Sequence, residues 1–186
     1  WNLYANTEGS FGAVQYSQIG KAVDSGSIEP EKARTWELGT RFDNGDVQAE
    51  IGLFLINFNN QYDSSQTNDS VTARGKTRHS GLESQLRYDL SQLSPALEDF
   101  SAYASYAYVN AVIREQGDTY GNQVPFSPKH KGVLGLDYTP GNWSFNLNSE
   151  YQSGQFADNA NTQAESADGS TGRIPGREPD NRVERN

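Results

Sequence analysis

Apolar and polar positions alternate along much of this 186-residue chain with a period of two, the signature of strands with one covered face and one wet face. WSFNLNSEY (143–151) is the cleanest case. Trp143, Phe145, Leu147 and Tyr151 share one side with Ser149, and Ser144, Asn146, Asn148 and Glu150 take the other. RTWELGTRFD (34–43) sets Trp36, Leu38 and Phe42 against Glu37, Arg41 and Asp43, and GLESQLRYDL (81–90) sets Leu82, Leu86, Tyr88 and Leu90 against Glu83, Gln85, Arg87 and Asp89. Further strands are expected at 1–6, 47–63, 100–113 and 132–138. Two of these are untidy: IGLFLINF (51–58) is apolar on both sides, and 100–113 mixes Ala and Tyr, as a strand packed on both faces would.

The connections alternate between long and short. Polar segments run between the first and second strands, after residue 63, through 114–130 and after 156. Tight connections are expected at Asn44-Gly45, where both residues tolerate positive φ, around Ser94-Pro95, and at Pro140-Gly141-Asn142. Segments of about ten residues joined in this rhythm predict an all-β fold, a partial transmembrane antiparallel β-barrel with short turns at the periplasmic end and long loops outside.

Composition sharpens that choice. Only 34% of residues are hydrophobic and mean hydropathy is −0.80, yet the chain carries ten Tyr, eight Phe and three Trp. So few apolar residues suit a wall with one aromatic-edged greasy face better than an ordinary core. No apolar run approaches the length of a membrane helix. The absence of Met, even at position 1, leads us to expect an internal piece of a longer chain. A net charge of −9 disfavours nucleic acid as a partner.

Charge also sorts along the strands. Lys32, Arg34, Lys76, Arg78, Arg114, Lys129, Lys131 and Arg173 gather where strands meet long loops, whereas Asp43, Asp46, Asp89, Glu98, Asp99 and Asp137 lie near short turns. Arg41 and Arg87 are exceptions on polar faces. Basic residues at the outer rim suit lipopolysaccharide phosphates, although charged residues also simply prefer strand ends.

IEPEKARTWELGTRF (28–42) resembles a barrel motif of the TonB-dependent outer-membrane receptors, in which E-x-x-x-x-[WY]-E-x-G precedes a strand. FLINFNNQYDSSQTNDSVTARGKTRHSGLE (54–83), GDTYGNQVPFSPKHKG (117–132) and FADNANTQAESADGSTGRIPG (156–176) resemble the ferric dicitrate branch of that family, loops included. The resemblance runs from residue 1 to about 176. It implies about seven strands of a 22-stranded plugged barrel in the outer membrane of a Gram-negative bacterium. It also implies a transporter, not an enzyme, for TonB-dependent uptake of ferric dicitrate. Energy would come from TonB, ExbB and ExbD through a part of the receptor absent from this chain. Iron enters as cargo, as ferric citrate, and no cofactor is implied. After Gly176 the pattern breaks: REPDNRVERN (177–186) could not face lipid and is expected to be an atypical polar tail, artefactual rather than native.

On the same resemblance Gln66, in the QTND stretch, is the candidate ligand contact, a neutral amide able to donate to a citrate carboxylate. Arg74 and Arg78, with Lys76, are weaker candidates for drawing in the anion, and each suits lipopolysaccharide or solvent equally. The loops at 7–33 and 62–78 resemble those that fold over ferric citrate. No metal site is expected: His79 and His130 lack thiolate companions, and Asp158, Glu165 and Asp168 lack EF-hand spacing. No catalytic triad, P-loop or dinucleotide fingerprint is present. The residues alone leave two rivals open, a passive channel or adhesin barrel and a soluble carbohydrate-binding β-sandwich.

Overall fold

The computed structural model describes residues 1–12, 30–63, 72–162 and 164–165, with 62–63, 72–74 and 164–165 described by backbone alone. Seven strands, β1 (Asn2–Gly12), β2 (Glu31–Asp43), β3 (Val47–Asp63), β4 (Thr72–Asp89), β5 (Phe100–Ile113), β6 (His130–Tyr138) and β7 (Phe145–Gln152), form one antiparallel sheet in chain order. Among the described residues the only other sheet is a two-stranded pair, β8 (Gln155–Phe156) with β9 (Ala164–Glu165). The sandwich reading therefore fails: among the described residues no second sheet of comparable size covers the first.

Register assigns the faces. Phe42 pairs with Ala49, Ala49 with Leu86, Leu86 with Ala104, Ala104 with Leu134 and Leu134 with Ser149, so this row points to one side. Leu38, Leu53, Leu82 and Tyr108 form a second such row. This outer face is apolar and exposed: Leu53 keeps 52% of its surface, Leu134 67% and Leu147 74%. Aromatic rings edge it at both ends. Near the short turns Trp1 meets Phe42 at 4.7 Å, Phe100 stacks on Tyr138 at 4.2 Å, and Tyr138 and Trp143 flank Phe145 at 6.0 and 6.3 Å. Toward the long loops, the Tyr106 hydroxyl and His130 Nδ1 share a hydrogen bond of 2.8 Å, with Tyr108 beside the same imidazole. From Phe100 to Tyr108 along β5 is roughly 27 Å, or roughly 21 Å across a bilayer at barrel tilt, near the ~25 Å apolar band of outer-membrane barrels.

Several strands outrun the expected bounds. β1 continues to Gly12 against Glu31–Trp36 of β2, and β4 begins at Thr72 rather than residue 81. These extensions lie beyond the apolar band, where ladder hydrogen bonds persist but apolar residues no longer recur at every second position, so a period-two signal vanishes. Conversely β7 starts at Phe145, because Trp143 donates its amide to Pro140 and remains in the turn with Gly141 (φ +58°). The β2–β3 turn is shifted by one position. Gly45 (φ +93°) takes the first central position, and Asn44 instead accepts the Val47 amide on its side-chain oxygen at 2.8 Å. The Ser94-Pro95 link forms two 3-10 turns, 90–92 and 95–97, in which Asp89 accepts from the Ser91 amide and Ser94 from that of Ala96.

Both doubtful strands exist, and at the far end of β5 the second apolar face has a cause. Beyond Tyr108 the edge of β5 is no longer paired with β6 but with the loop that follows it. Val124 donates to the Ala111 carbonyl at 3.0 Å, Ile113 to Asn122 at 2.8 Å and Gly121 to Ile113 at 2.9 Å. Val124 packs with the inner-face residues Ala111 and Ile113 and with Val109, forming the small buried core of the described residues.

Candidate functional site: inner wall and outer rim

The inner face alternates with the lipid-facing one and is polar over most of its height. Arg41 Nε sits 2.9 Å from Glu50 Oε1, and Tyr4 donates its hydroxyl to the same oxygen at 3.0 Å while Gln85 Nε2 reaches Oε2 at 3.4 Å. One carboxylate thus ties β1, β2, β3 and β4 together. A second network continues it: Arg87 Nη1 pairs with Asp137 at 2.8 Å and Nη2 donates to Ser101 at 2.6 Å. Asn146 Nδ2 lies 2.7 Å from the other Asp137 oxygen and 3.0 Å from the Tyr103 hydroxyl. The two arginines that broke the charge-sorting pattern are each neutralised here by a cross-strand acid.

Two tyrosines lie across neighbouring glycines to reach those networks. The Tyr4 ring occupies the space a Cβ on Gly39 would need, and the Tyr103 ring does the same over Gly135. Glycine is required at both positions by close approach. Sequence reading missed these joints, since the signal is a Tyr and a Gly made neighbours by register: Tyr4 pairs with Gly39 and Tyr103 with Gly135.

By register the inner side of the described strands carries more acids, among them Glu31, Glu37, Glu50, Glu83, Asp137 and Glu150, than cations, among them Arg41, Arg87 and Lys131. With an acidic excess, this wall is a hydrated lining rather than an anion trap.

At the rim, two loops are clasped. The Gln123 amide donates to Asn161 Oδ1 at 2.7 Å and Asn161 Nδ2 returns a bond to the Gln123 carbonyl at 2.9 Å. Asn122 Nδ2 donates to the Asn159 carbonyl and the Phe126 amide to that of Phe156. Asp158, considered as a metal ligand, caps the Thr162 amide and accepts from its hydroxyl at 2.7 Å. His79 faces inward, 3.2 Å from the Thr77 hydroxyl, whereas His130 faces outward, so the two histidines share no site.

Of the ligand candidates, Gln66 lies outside the described residues, as do Asp168 and the 177–186 tail. Arg74 is placed by its backbone in β4. Arg78 lies on the outer, lipid-facing side of β4 and donates Nε to Asn57 Oδ1 at 3.1 Å.

A one-layer antiparallel sheet with an apolar outer face, aromatic edges and a polar ion-paired lining defines the wall of a transmembrane barrel. Residues 1–177 match the family described as TonB dependent receptor-like, beta-barrel, and the chain belongs to that family of Gram-negative outer-membrane receptors. It is 80% identical over 94% of its length to the ferric citrate transporter FecA, solved in the unliganded form, with a TM-score of 0.76; the match covers 26% of that chain. The copper transporter OprC shares the fold at 20% identity and a TM-score of 0.66, over 84% of this chain and 25% of its own. A TonB-dependent receptor of Haemophilus influenzae Rd, itself uncharacterized, is 27% identical over 128 residues, 66% of this chain and 35% of the relative. The chain therefore spans between a quarter and about a third of the length of these relatives.

Proposed function

We propose that this chain builds part of the wall and outer mouth of a receptor that takes up ferric citrate. The observation that carries the reading is the 80% identity to FecA over 94% of the chain, a span that takes in loops as well as strands. Strands are constrained by lipid and lining, but loops diverge readily between receptors for different ligands. Physics supports the wider assembly. The sheet order runs from β1 to β7 without closing, and an open edge in hydrocarbon leaves N–H and C=O groups unpaired at several kcal/mol each, so further strands must flank both sides.

On this reading the loops joining β1 to β2 and β3 to β4 fold over the bound anion, and Gln66 donates its amide to a citrate carboxylate. Arg74 is a second, weaker contact. Arg78, as a weak candidate, is disfavoured by its outward aim. Iron is cargo, held by citrate. TonB, ExbB and ExbD supply energy through parts of the receptor outside these 186 residues, and the mechanism is closure and opening rather than bond chemistry.

The test is a chimera in which residues 1–176 replace the matching segment of FecA. Ferric citrate binding and iron-limited growth on ferric citrate should survive. In the same chimera, Gln66→Ala should weaken ferric citrate binding by roughly fivefold or more while leaving insertion intact, the loss of about one hydrogen bond to a charged group. A chimera that inserts normally but binds no ferric citrate would overturn the reading, and unchanged affinity in Gln66→Ala would remove that residue from the site.

A further inference from the structure

The ladder between β4 and β5 ends at the pair Thr77–Ile113, yet the next residue of β4 is not left open. Lys76 has both backbone groups taken by one step of the chain beyond β5. The amides of Arg114 and Glu115 donate to its carbonyl at 2.7 and 3.0 Å, and its own amide donates to Glu115 Oε2 at 3.1 Å. A side-chain carboxylate thus stands where the carbonyl of a further strand residue would be, and it satisfies an amide at the end of the ladder. The same side chain lies over Gly75 (φ +80°), where a Cβ would collide with its carboxylate. Glycine meets both demands there, a left-handed backbone and a close approach.

The β3 side of this point is bulged. Phe58 pairs with Thr77 and Gln61 with Gly75, so Asn59 and Asn60 stand opposite Lys76 alone, with Asn60 in the left-handed region at φ +56°. A second shift follows between Gln61 and Tyr62. Thr77 spans the bulge: only 2% exposed, it donates its hydroxyl to Gln61 Oε1 at 2.8 Å. A bulge bends the strand and strengthens its twist, so the direction in which the chain leaves the wall is set here. Glu115 can hold that direction because its own segment is anchored. Gly121 donates to Ile113 and Ile113 to Asn122 across the base of its loop, Val124 packs on Ala111 and Ile113, and the Arg114 guanidinium lies 4.9 Å from the centre of the Tyr120 ring.

We propose that Glu115 is a positioning residue for the loop joining β3 to β4. Its carboxylate, on the Lys76 amide and over Gly75, fixes how that loop leaves the wall. Less chain order then has to be imposed when ferric citrate binds. The consequence for binding rests on the reading of this loop as a ligand contact; the joint itself does not.

The full-length receptor, purified in detergent, is compared with Glu115→Ala and Glu115→Gln, and heat-modifiable gel mobility checks folding in each. Without ligand, hydrogen exchange at the Lys76 amide should be about fivefold or more faster in Glu115→Ala, and within about twofold of the parent in Glu115→Gln, which keeps an acceptor oxygen. Ferric citrate binding should weaken about threefold or more in Glu115→Ala and be largely retained in Glu115→Gln. Gly75→Ala should weaken binding about tenfold alone, and by a clearly smaller factor in the Glu115→Ala background, where the collision is gone. Unchanged exchange at Lys76 in folded Glu115→Ala, unchanged ferric citrate affinity in that variant, or effects of the two substitutions that simply multiply would overturn the proposal. A parent receptor that binds no ferric citrate would sink the reading of the loop, and the exchange measurement would still decide the joint.

Discussion

The two ends of the sheet solve the inner face differently. Near the short turns that face stays wet, and its charged side chains are paired across strands, Arg41 with Glu50 and Arg87 with Asp137. Near the long loops, on β5, it goes dry: Ala111 is fully buried and Ile113 is 1% exposed, because the segment around Val124 has folded onto them. The outer face behaves alike at both ends, apolar in the middle and aromatic at the margins. Inner-wall chemistry therefore reports what covers each stretch of strand. Water covers one end, and the chain's own loop covers the other.

The largest expected effect comes from the feature both ends share. If hydrocarbon covers the outer face, Leu86→Arg in the full-length receptor should cost roughly 2–4 kcal/mol when the site lies near the bilayer midplane. Reversible denaturant unfolding from lipid vesicles measures it. A cost below about 0.5 kcal/mol, the range of an ordinary surface substitution, would mean that this face meets water or protein.

Next comes the contrast between the ends. Ile113→Ala removes buried methyl groups from the loop-covered end and should cost about 2 kcal/mol, the low side for such a change because the core is small. Gln48→Ala, on the exposed inner face near the β2–β3 turn, should cost less than about 0.5 kcal/mol. Hydrogen exchange should also localise the first loss to the amides of Gly121 and Val124, which bond to β5. Equal costs at the two sites would erase the distinction.

Much of the fold was legible because lipid favours a simple pattern: inside the band, most alternate side chains are apolar, with only small polar ones such as Ser84 and Ser149 among them. Phe145, Leu147, Leu82 and Leu86 obeyed it, and their strands were found. Outside the band the rule lapses. Ser10 and Phe11 of β1, or Lys76 of β4, belong to strand extensions that the backbone ladder carries on with no alternation to announce them. Residues 100–113 hinted at two-sided packing, and their far end has it, but nothing in the sequence said that a loop supplied the second side. The candidate site was less legible. That Arg78 points to lipid and Arg41 to the lining depends on register, and the Tyr4–Gly39 approach joins residues 35 positions apart through it.

That approach supplies a smaller test, at the wet end. A Cβ on Gly39 would stand inside the Tyr4 ring, so Gly39→Ala must swing the tyrosine aside and break its bond to Glu50. The expected cost is about 1–2 kcal/mol, from overpacking plus a lost hydrogen bond. In a Tyr4→Ala background the same substitution should be nearly free. If Gly39→Ala costs as much without the tyrosine, strand propensity rather than the joint fixes glycine there.

A small effect should also come from the Arg87–Asp137 pair, and its size decides what kind of lining the wet end has. Roughly half of the Arg87 side chain remains exposed, against a fifth of that of Asp137. A pair this open is screened by water and loses side-chain entropy on forming, which limits a lone exposed ion pair to about 0.2–1 kcal/mol. Here Arg87 also donates to Ser101, and Asn146 holds the second Asp137 oxygen, so both partners are held in place by groups that remain when either is removed. A double-mutant cycle with Arg87→Ala and Asp137→Ala should therefore return a coupling of less than about 1 kcal/mol, falling further in high salt. A salt-insensitive coupling of several kcal/mol would mean that the pair is sealed from water, and that in the assembled receptor something other than solvent lies against this end of the wall.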